Sequence, residues 1–192
     1  MVPVTDPQGS LLDRTARDLL DLFAAAKRTP GGGSAAALMG ALAASLLEAV
    51  ALYTIKAGLP FQERARVLLA EVQERGRSLR AAVDEDARAF DAYWQDRVPE
   101  SLERATRVPL AVADHCLTLL EMGLELRDHG NPKARGEAVT ALQASLAAAE
   151  AAIQTADLNL RFAGTAEWVG EGQGRLRALR DRLEGLRGSV DL

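Results

Sequence analysis

From Ala35 to Leu47 the chain reads Ala-Ala-Ala-Leu-Met-Gly-Ala-Leu-Ala-Ala-Ser-Leu-Leu, a small and apolar run without charge or proline. A helix that is apolar on every side has to be buried on every side. This run therefore dictates a fold in which other elements surround it at close range. Hydrophobic residues make up 48% of the chain but aromatics only 4%, so the core is built from Ala, Leu and Val. Such a core suits closely packed helices better than sheets. The run itself is too short to span a bilayer.

The rest of the sequence follows a helical period. Leu12, Ala16, Leu19, Phe23 and Ala26 form one stripe at steps of three and four, the spacing of one helix face. A second helix is expected from about Ala35 to about Ala57, stopped by Gly58 and Pro60. A third begins near Pro60 and carries Leu69, Val72, Gly76, Leu79 and Val83, then Phe90. After a break at Val98-Pro99-Glu100-Ser101, a fourth carries Val112, Cys116 and Gly123 and closes at Gly130, read as a C-cap glycine. A fifth, from about Ala134 to Phe162, shows Ala138, Leu142, Ser145, Ala149, Ala152, Ala156 and Leu160 on one side. Gly170 to Gly174 reads as a loop before a last amphipathic helix, Arg175 to Arg187. No segment alternates over strand length, so no sheet is expected. The expected fold is all-α, an up-and-down bundle of five to six helices forming a single domain over residues 1–192. Two alanine-rich helices in so small a domain are most easily covered by a second copy, so a homodimer is expected.

Net charge is −4 with a pI near 5.3, which argues against nucleic acid as the main partner. Cys116 is the sole cysteine, and His115 and His129 are the only histidines. The chain thus offers neither an internal disulfide nor the ligands of a thiolate or histidine-rich metal centre. The first residues lack a signal-peptide pattern. A cytoplasmic protein that binds neither nucleic acid nor membrane is expected.

Two segments carry candidate chemistry. In Thr29-Pro30-Gly31-Gly32-Gly33-Ser34, glycines allow close approach to the backbone just before the apolar helix. Ser34 is the expected N-cap. The amides of Gly32, Gly33 and Ser34 would hold an anion or a carbonyl oxygen at the helix start; a plain tight turn is the other reading. The second segment is Asp84-Glu85-Asp86-Ala87-Arg88-Ala89-Phe90. Asp86 falls on the apolar stripe 72, 76, 79, 83, where the pattern asks for leucine. A carboxylate there needs a partner, so Asp86 is either a general base of raised pKa or a partnered core aspartate. Asp84 and Glu85 are expected in solvent. Lys56, one of three lysines, ends the second helix. Asn131 follows a helix end, and Asn159 is a polar residue near the end of an apolar helix, able to donate to a ligand or to a neighbouring carbonyl. His115 and Cys116 are adjacent on a helix and point about 100° apart, so they form no nucleophile–base pair.

Taken together, these pieces resemble the cyclodeaminase domain of formiminotransferase-cyclodeaminase and its relatives, the methenyltetrahydrofolate cyclohydrolases. The resemblance lies in Pro30-Gly31-Gly32-Gly33-Ser34 with the Ala-Ala-Leu-x-Gly-Ala-Leu that follows, Ala44-Ser45-Leu46, Thr54-Ile55 and Asp84-Glu85-Asp86-Ala87-x-Ala-Phe90. It continues in Val108-Pro109-Leu110, Gly130-Asn131-Pro132 and Asn159-Leu160, over about residues 10 to 163. It implies a dimeric all-helical fold, a tetrahydrofolate derivative as substrate, and no metal or redox cofactor. It also implies one of two reactions. One is closure of 5-formiminotetrahydrofolate to the 5,10-methenyl form with loss of ammonia; the other is hydration of the methenyl carbon to 10-formyltetrahydrofolate. Asp86 and Lys56 are then the expected catalytic residues. Gly31, Gly32, Gly33, Ser34, Asn131, Glu137 and Asn159 are the expected substrate-binding residues. Lys56 is displaced by one position from the lysine of the family pattern, and Gly136-Glu137 stands where that pattern has Ser-Asp. These departures keep open an alternative, a catalytically degenerate member serving as a ligand-binding or helical interaction module.

Overall fold

The structure, a computed structural model, describes residues 9–190; the first eight residues, read above for a leader pattern, lie outside it. Six α-helices follow in order, with no strand among the described residues: α1 (Ala16–Ala24), α2 (Gly32–Lys56), α3 (Gln62–Asp96), α4 (Pro99–His129), α5 (Arg135–Phe162) and α6 (Val169–Val190). Short 3-10 turns at Leu11–Asp13 and Pro132–Ala134 precede α1 and α5. Only Arg97 and Val98 join α3 to α4, and a link that short forces antiparallel neighbours.

The apolar run lies within α2, which packs against α3, α4 and α5. Ala36, Ala37, Ala43, Ala44, Leu47 and Ala51 have no exposed surface. At 25 residues, and with a mean hydropathy of 1.9 over its most apolar 18, α2 is longer than the run and is long and apolar enough to span a membrane. Half of its most apolar window is buried by neighbouring helices, so the burial on every side expected of the run is incomplete within one chain, with Leu42 58% exposed.

The sequence placed helices well and their ends less well. Helix α2 starts at Gly32 with Gly31 as N-cap, so Ser34 is not the cap but already lies in the first turn. Gly130 does cap α4, with φ −78° rather than a left-handed value. The segment read as a loop at 170–174 belongs to α6. There tertiary packing outweighs the low helix propensity of glycine, because Gly172 lies against Leu160, whose Cδ2 would meet an added Cβ at 2.7 Å. Asp84, expected in solvent, accepts from Ser10 Oγ at 2.6 Å and Leu11 N at 2.7 Å. It ties the N-terminal turn to α3.

Candidate active site

Asp86 is the first residue to place. It continues the buried face of α3 after Val72, Gly76, Leu79 and Val83 and is only 8% exposed. Its Oδ2 accepts from Ser34 Oγ at 2.9 Å. The first turn of α2 has no side-chain cap of its own. Asp86, from a different helix, sits at that turn and meets the positive end of the α2 dipole. Gly33 makes this possible: a Cβ there would lie 2.0 Å from Asp86 Oδ1. The anion expected at this helix start is therefore, in part, the protein's own carboxylate.

Burial raises the Asp86 pKa above its ordinary value, and hydrogen bonding from Ser34 partly opposes the rise. The carboxyl forms no ion pair with the described residues. It is nevertheless open on one side, because it lines a cavity of about 290 Å³ with Gly31, Gly32, Gly33, Arg28, Phe90, Thr155, Asn159 and Phe162.

Asn159 reaches the cavity for a reason that lies in α4. Pro109 sits inside that helix and has no N–H, so the carbonyl four residues earlier, Ala105, loses its helical partner. Asn159 Nδ2 donates to Ala105 O at 2.9 Å. This satisfies the orphan carbonyl and fixes the side-chain amide at the cavity wall. Asn159 Oδ1 accepts no bond from the described residues, which leaves an acceptor for a ligand N–H.

The other expected site residues lie elsewhere. Lys56 is exposed at the C-terminal end of α2, about 33 Å from Ser34 at 1.5 Å rise per residue. Glu137 is exposed in the first turn of α5, the same distance from Asn159 along that helix. Asn131 is a structural residue. Its Nδ2 donates to Tyr53 O at 3.2 Å, its Oδ1 accepts from Lys133 N at 3.0 Å, and its amide donates to Thr54 Oγ1 at 2.9 Å. Within one chain the fold thus gathers Gly31, Gly32, Gly33, Ser34, Asp86 and Asn159 and leaves Lys56, Asn131 and Glu137 at the opposite end.

Cys116 is fully buried, and burial pushes its thiol pKa up to about 12. The neighbouring His115 instead accepts at Nδ1 from Arg75, 3.1 Å away, and takes no part in this cavity. Sequence reasoning missed Arg28, Phe90, Thr155 and Phe162. The signal available was position alone: Arg28 precedes the glycine-rich segment, Phe90 closes the segment 84–90, and Thr155 and Phe162 lie about one turn from Asn159 on the same helix.

A family model described as formiminotransferase-cyclodeaminase matches residues 15–177. The chain is similar to a methenyltetrahydrofolate cyclohydrolase of Methylorubrum extorquens, 26% identical over 166 residues that cover 77% of this chain and 78% of that protein. Its fold matches the crystal structure of formiminotetrahydrofolate cyclodeaminase from Thermotoga maritima with a TM-score of 0.87. That match covers 94% of this chain and 96% of the other at 21% identity, a likeness of fold.

Proposed function

The chain belongs to the formiminotransferase-cyclodeaminase family, and from that premise we propose that it acts on the one-carbon bridge of a tetrahydrofolate, hydrolysing 5,10-methenyltetrahydrofolate to 10-formyltetrahydrofolate. One observation carries this reading. Asp86 is a buried carboxyl, held by Ser34 and facing a cavity, with no ion-pair partner among the described residues. A carboxylate in that position lacks a counter-charge. The methenyl bridge is part of a cationic amidinium and supplies one. The relative from Methylorubrum, similar over most of both chains, bears the name of this activity.

The chemistry needs one proton shuttle. Asp86 as carboxylate takes a proton from water as its oxygen bonds to the methenyl carbon, which gives a neutral tetrahedral centre. Asp86 then returns that proton to N5 as the carbon–N5 bond breaks. The hydroxyl proton leaves as the formyl C=O forms, so the net reaction consumes water and releases one proton. The raised pKa suits both halves, because general acid–base groups work best when their pKa is near the operating pH. Asn159 Oδ1 and the free amides of Gly32 and Gly33 orient the ring system. Ring closure of 5-formiminotetrahydrofolate is the neighbouring reaction that the same carboxyl could serve, protonating the departing ammonia.

We propose also that the protein works as a homodimer through the outer face of α2 and α5. Leu42, Leu52, Leu158 and Phe162 are exposed on these helices at 58%, 41%, 54% and 72%, an apolar surface of the kind that marks an interface. Light scattering at micromolar concentration should give twice the chain mass.

Decay of the methenyl absorbance with added protein tests the activity, with 5-formiminotetrahydrofolate assayed in parallel for appearance of the same chromophore. Hydrolysis above the buffer rate is the expected result. Rates equal to buffer for both substrates, with tight binding retained, would turn the reading to the non-catalytic family member.

A further inference from the structure

A cavity of about 290 Å³ is the size of a ring system, not of a whole folate, so the remainder of the substrate must leave by the mouth. What stands there is an aromatic ladder ending in two arginines. Phe90 lines the cavity, and its ring centroid lies 6.3 Å from that of Trp94. The guanidinium carbon of Arg28, another cavity residue, lies 5.0 Å from the centroid of Trp94. That of Arg97 lies 3.5 Å from the same centroid and 5.4 Å from that of Tyr93.

Neither arginine forms an ion pair with the described residues. The nearby acids are committed to other donors. Asp91 Oδ2 accepts from Thr29 Oγ1 at 2.7 Å. Asp96 accepts from Ser101 Oγ at 2.6 Å and from Val98 N at 3.1 Å. Arg97 occupies the C-cap of α3 with φ 57° and ψ 24°, a left-handed conformation in which glycine is the usual residue. An arginine there accepts backbone strain and in return lays its guanidinium on Trp94. Two guanidiniums stacked over one indole present planar forks of N–H donors, a geometry that matches a carboxylate with two bonds each.

Resting on the folate reading above, we propose that Arg28 and Arg97, held on Trp94, bind the carboxylates at the glutamyl end of the substrate and select for ligands that carry it. The ring system then lies against Asp86 and Asn159, and the aryl linker crosses the Phe90–Trp94 ladder to reach the arginines.

The test compares 5,10-methenyltetrahydrofolate with the corresponding methenyltetrahydropteroate, which lacks the glutamate. Arg28→Gln and Arg97→Gly are assayed beside the parent; Arg97→Gly keeps a residue suited to the left-handed backbone. The parent should favour the glutamate-bearing substrate by about tenfold or more in KM, the scale of one lost charge-assisted bond. Each variant should lose most of that preference, and the double variant nearly all of it. A purely structural role would lower activity on both substrates alike and leave the ratio intact, and that outcome overturns the proposal. So does a parent enzyme indifferent to the glutamate. If the parent neither binds nor turns over either compound, the folate reading fails and takes this inference with it.

Discussion

The two ends of α2 use the same kinds of residue to different effect. At the N-terminal end, glycine at 33 admits Asp86, and a hydroxyl, Ser34, holds it. At the C-terminal end, Gly130 packs so closely that a Cβ would lie 2.3 Å from Leu126 O and 3.0 Å from Thr54 Oγ1. There too a hydroxyl is central: Thr54 Oγ1 donates to Val50 O at 2.9 Å and accepts from Asn131 N at 2.9 Å. The difference lies in what remains unsatisfied. Thr54 and Asn131 spend their polar atoms on backbone groups, so this end is a clasp between α2 and the start of α5. Asp86 keeps an oxygen facing a cavity and a charge without a counter-ion. Glycine, hydroxyl and polar partner make a joint in one place and a candidate site in the other; the titratable group left open on one side is what separates them.

The largest expected effect breaks the first end. Asp86→Asn keeps the shape and removes the charge and the proton shuttle, so turnover should fall by about 10²–10⁴-fold. Stability should respond in the opposite sense. Because burial raises the folded pKa of Asp86, the folded chain keeps a proton that the unfolded chain has already lost. The carboxyl therefore costs stability as pH rises from its unfolded value through the folded one, and that cost persists above it. Urea titrations of the parent and Asp86→Asn at neutral and acidic pH should show the variant no less stable at neutral pH, with less loss on going up from acid. A variant that unfolds while the parent does not would mean that the carboxylate is needed mainly as a helix cap.

Breaking the second end should do the reverse. Thr54→Val leaves the Asn131 amide without its acceptor in a partly buried joint, a loss of about 1–3 kcal/mol. A denaturant midpoint shift of that size is expected, with kcat per folded molecule little changed. If kcat fell as far as it does in Asp86→Asn, the two ends would not be functionally distinct.

Much of this contrast was legible in the sequence, and the part that was not has a physical cause. A helical period of 3.6 residues shows which residues share a face, so the stripe through Val72, Gly76, Leu79 and Val83 exposed Asp86 as its interruption. A glycine run announced close approach, but not what approaches. That Asp86 fills the space above Gly33 depends on the packing of α3 against α2, which no local pattern encodes. Asn159 was visible as a polar residue in an apolar helix. Its role follows from Pro109 freeing the Ala105 carbonyl, a relation that crosses from α4 to α5 and appears only when the two are docked. Lys56, Asn131 and Glu137 were grouped with Asp86 through family resemblance, and linear order does not say at which end of a bundle a residue lies.

A finer probe of the first end is Ser34→Ala. The Ser34 hydroxyl bond lowers the Asp86 pKa against the larger effect of burial, so removing it should move that pKa further up. If the carboxylate is the working base, activity is lost as pH falls through this pKa. The acid limb of kcat/KM should then lie above the range of an ordinary aspartate in the parent and higher still in the variant. A limb that stays in place when Ser34 is cut would mean that another group controls it.

The smallest expected effect tests whether the ends are independent in the assembled protein. Lys56 is exposed and makes no ion pair with the described residues. Its charge lies at the negative end of the α2 dipole, which favours it slightly. Lys56→Ala should therefore change stability by no more than about 0.5 kcal/mol. Because the residue lies about 33 Å along α2 from Ser34, turnover by a single chain should stay within about twofold of the parent, a change in barrier of well under 1 kcal/mol. The comparison sharpens if this fails. An antiparallel dimer through the exposed face of α2 would set one subunit's C-terminal end beside its partner's Gly31–Ser34 turn. A loss of turnover by orders of magnitude in Lys56→Ala, with the fold intact, would then mean that the lysine acts across the interface. Mixing Lys56→Ala with Asp86→Asn chains decides the matter. Restored activity in the mixture requires a site that draws Asp86 from one chain and Lys56 from the other.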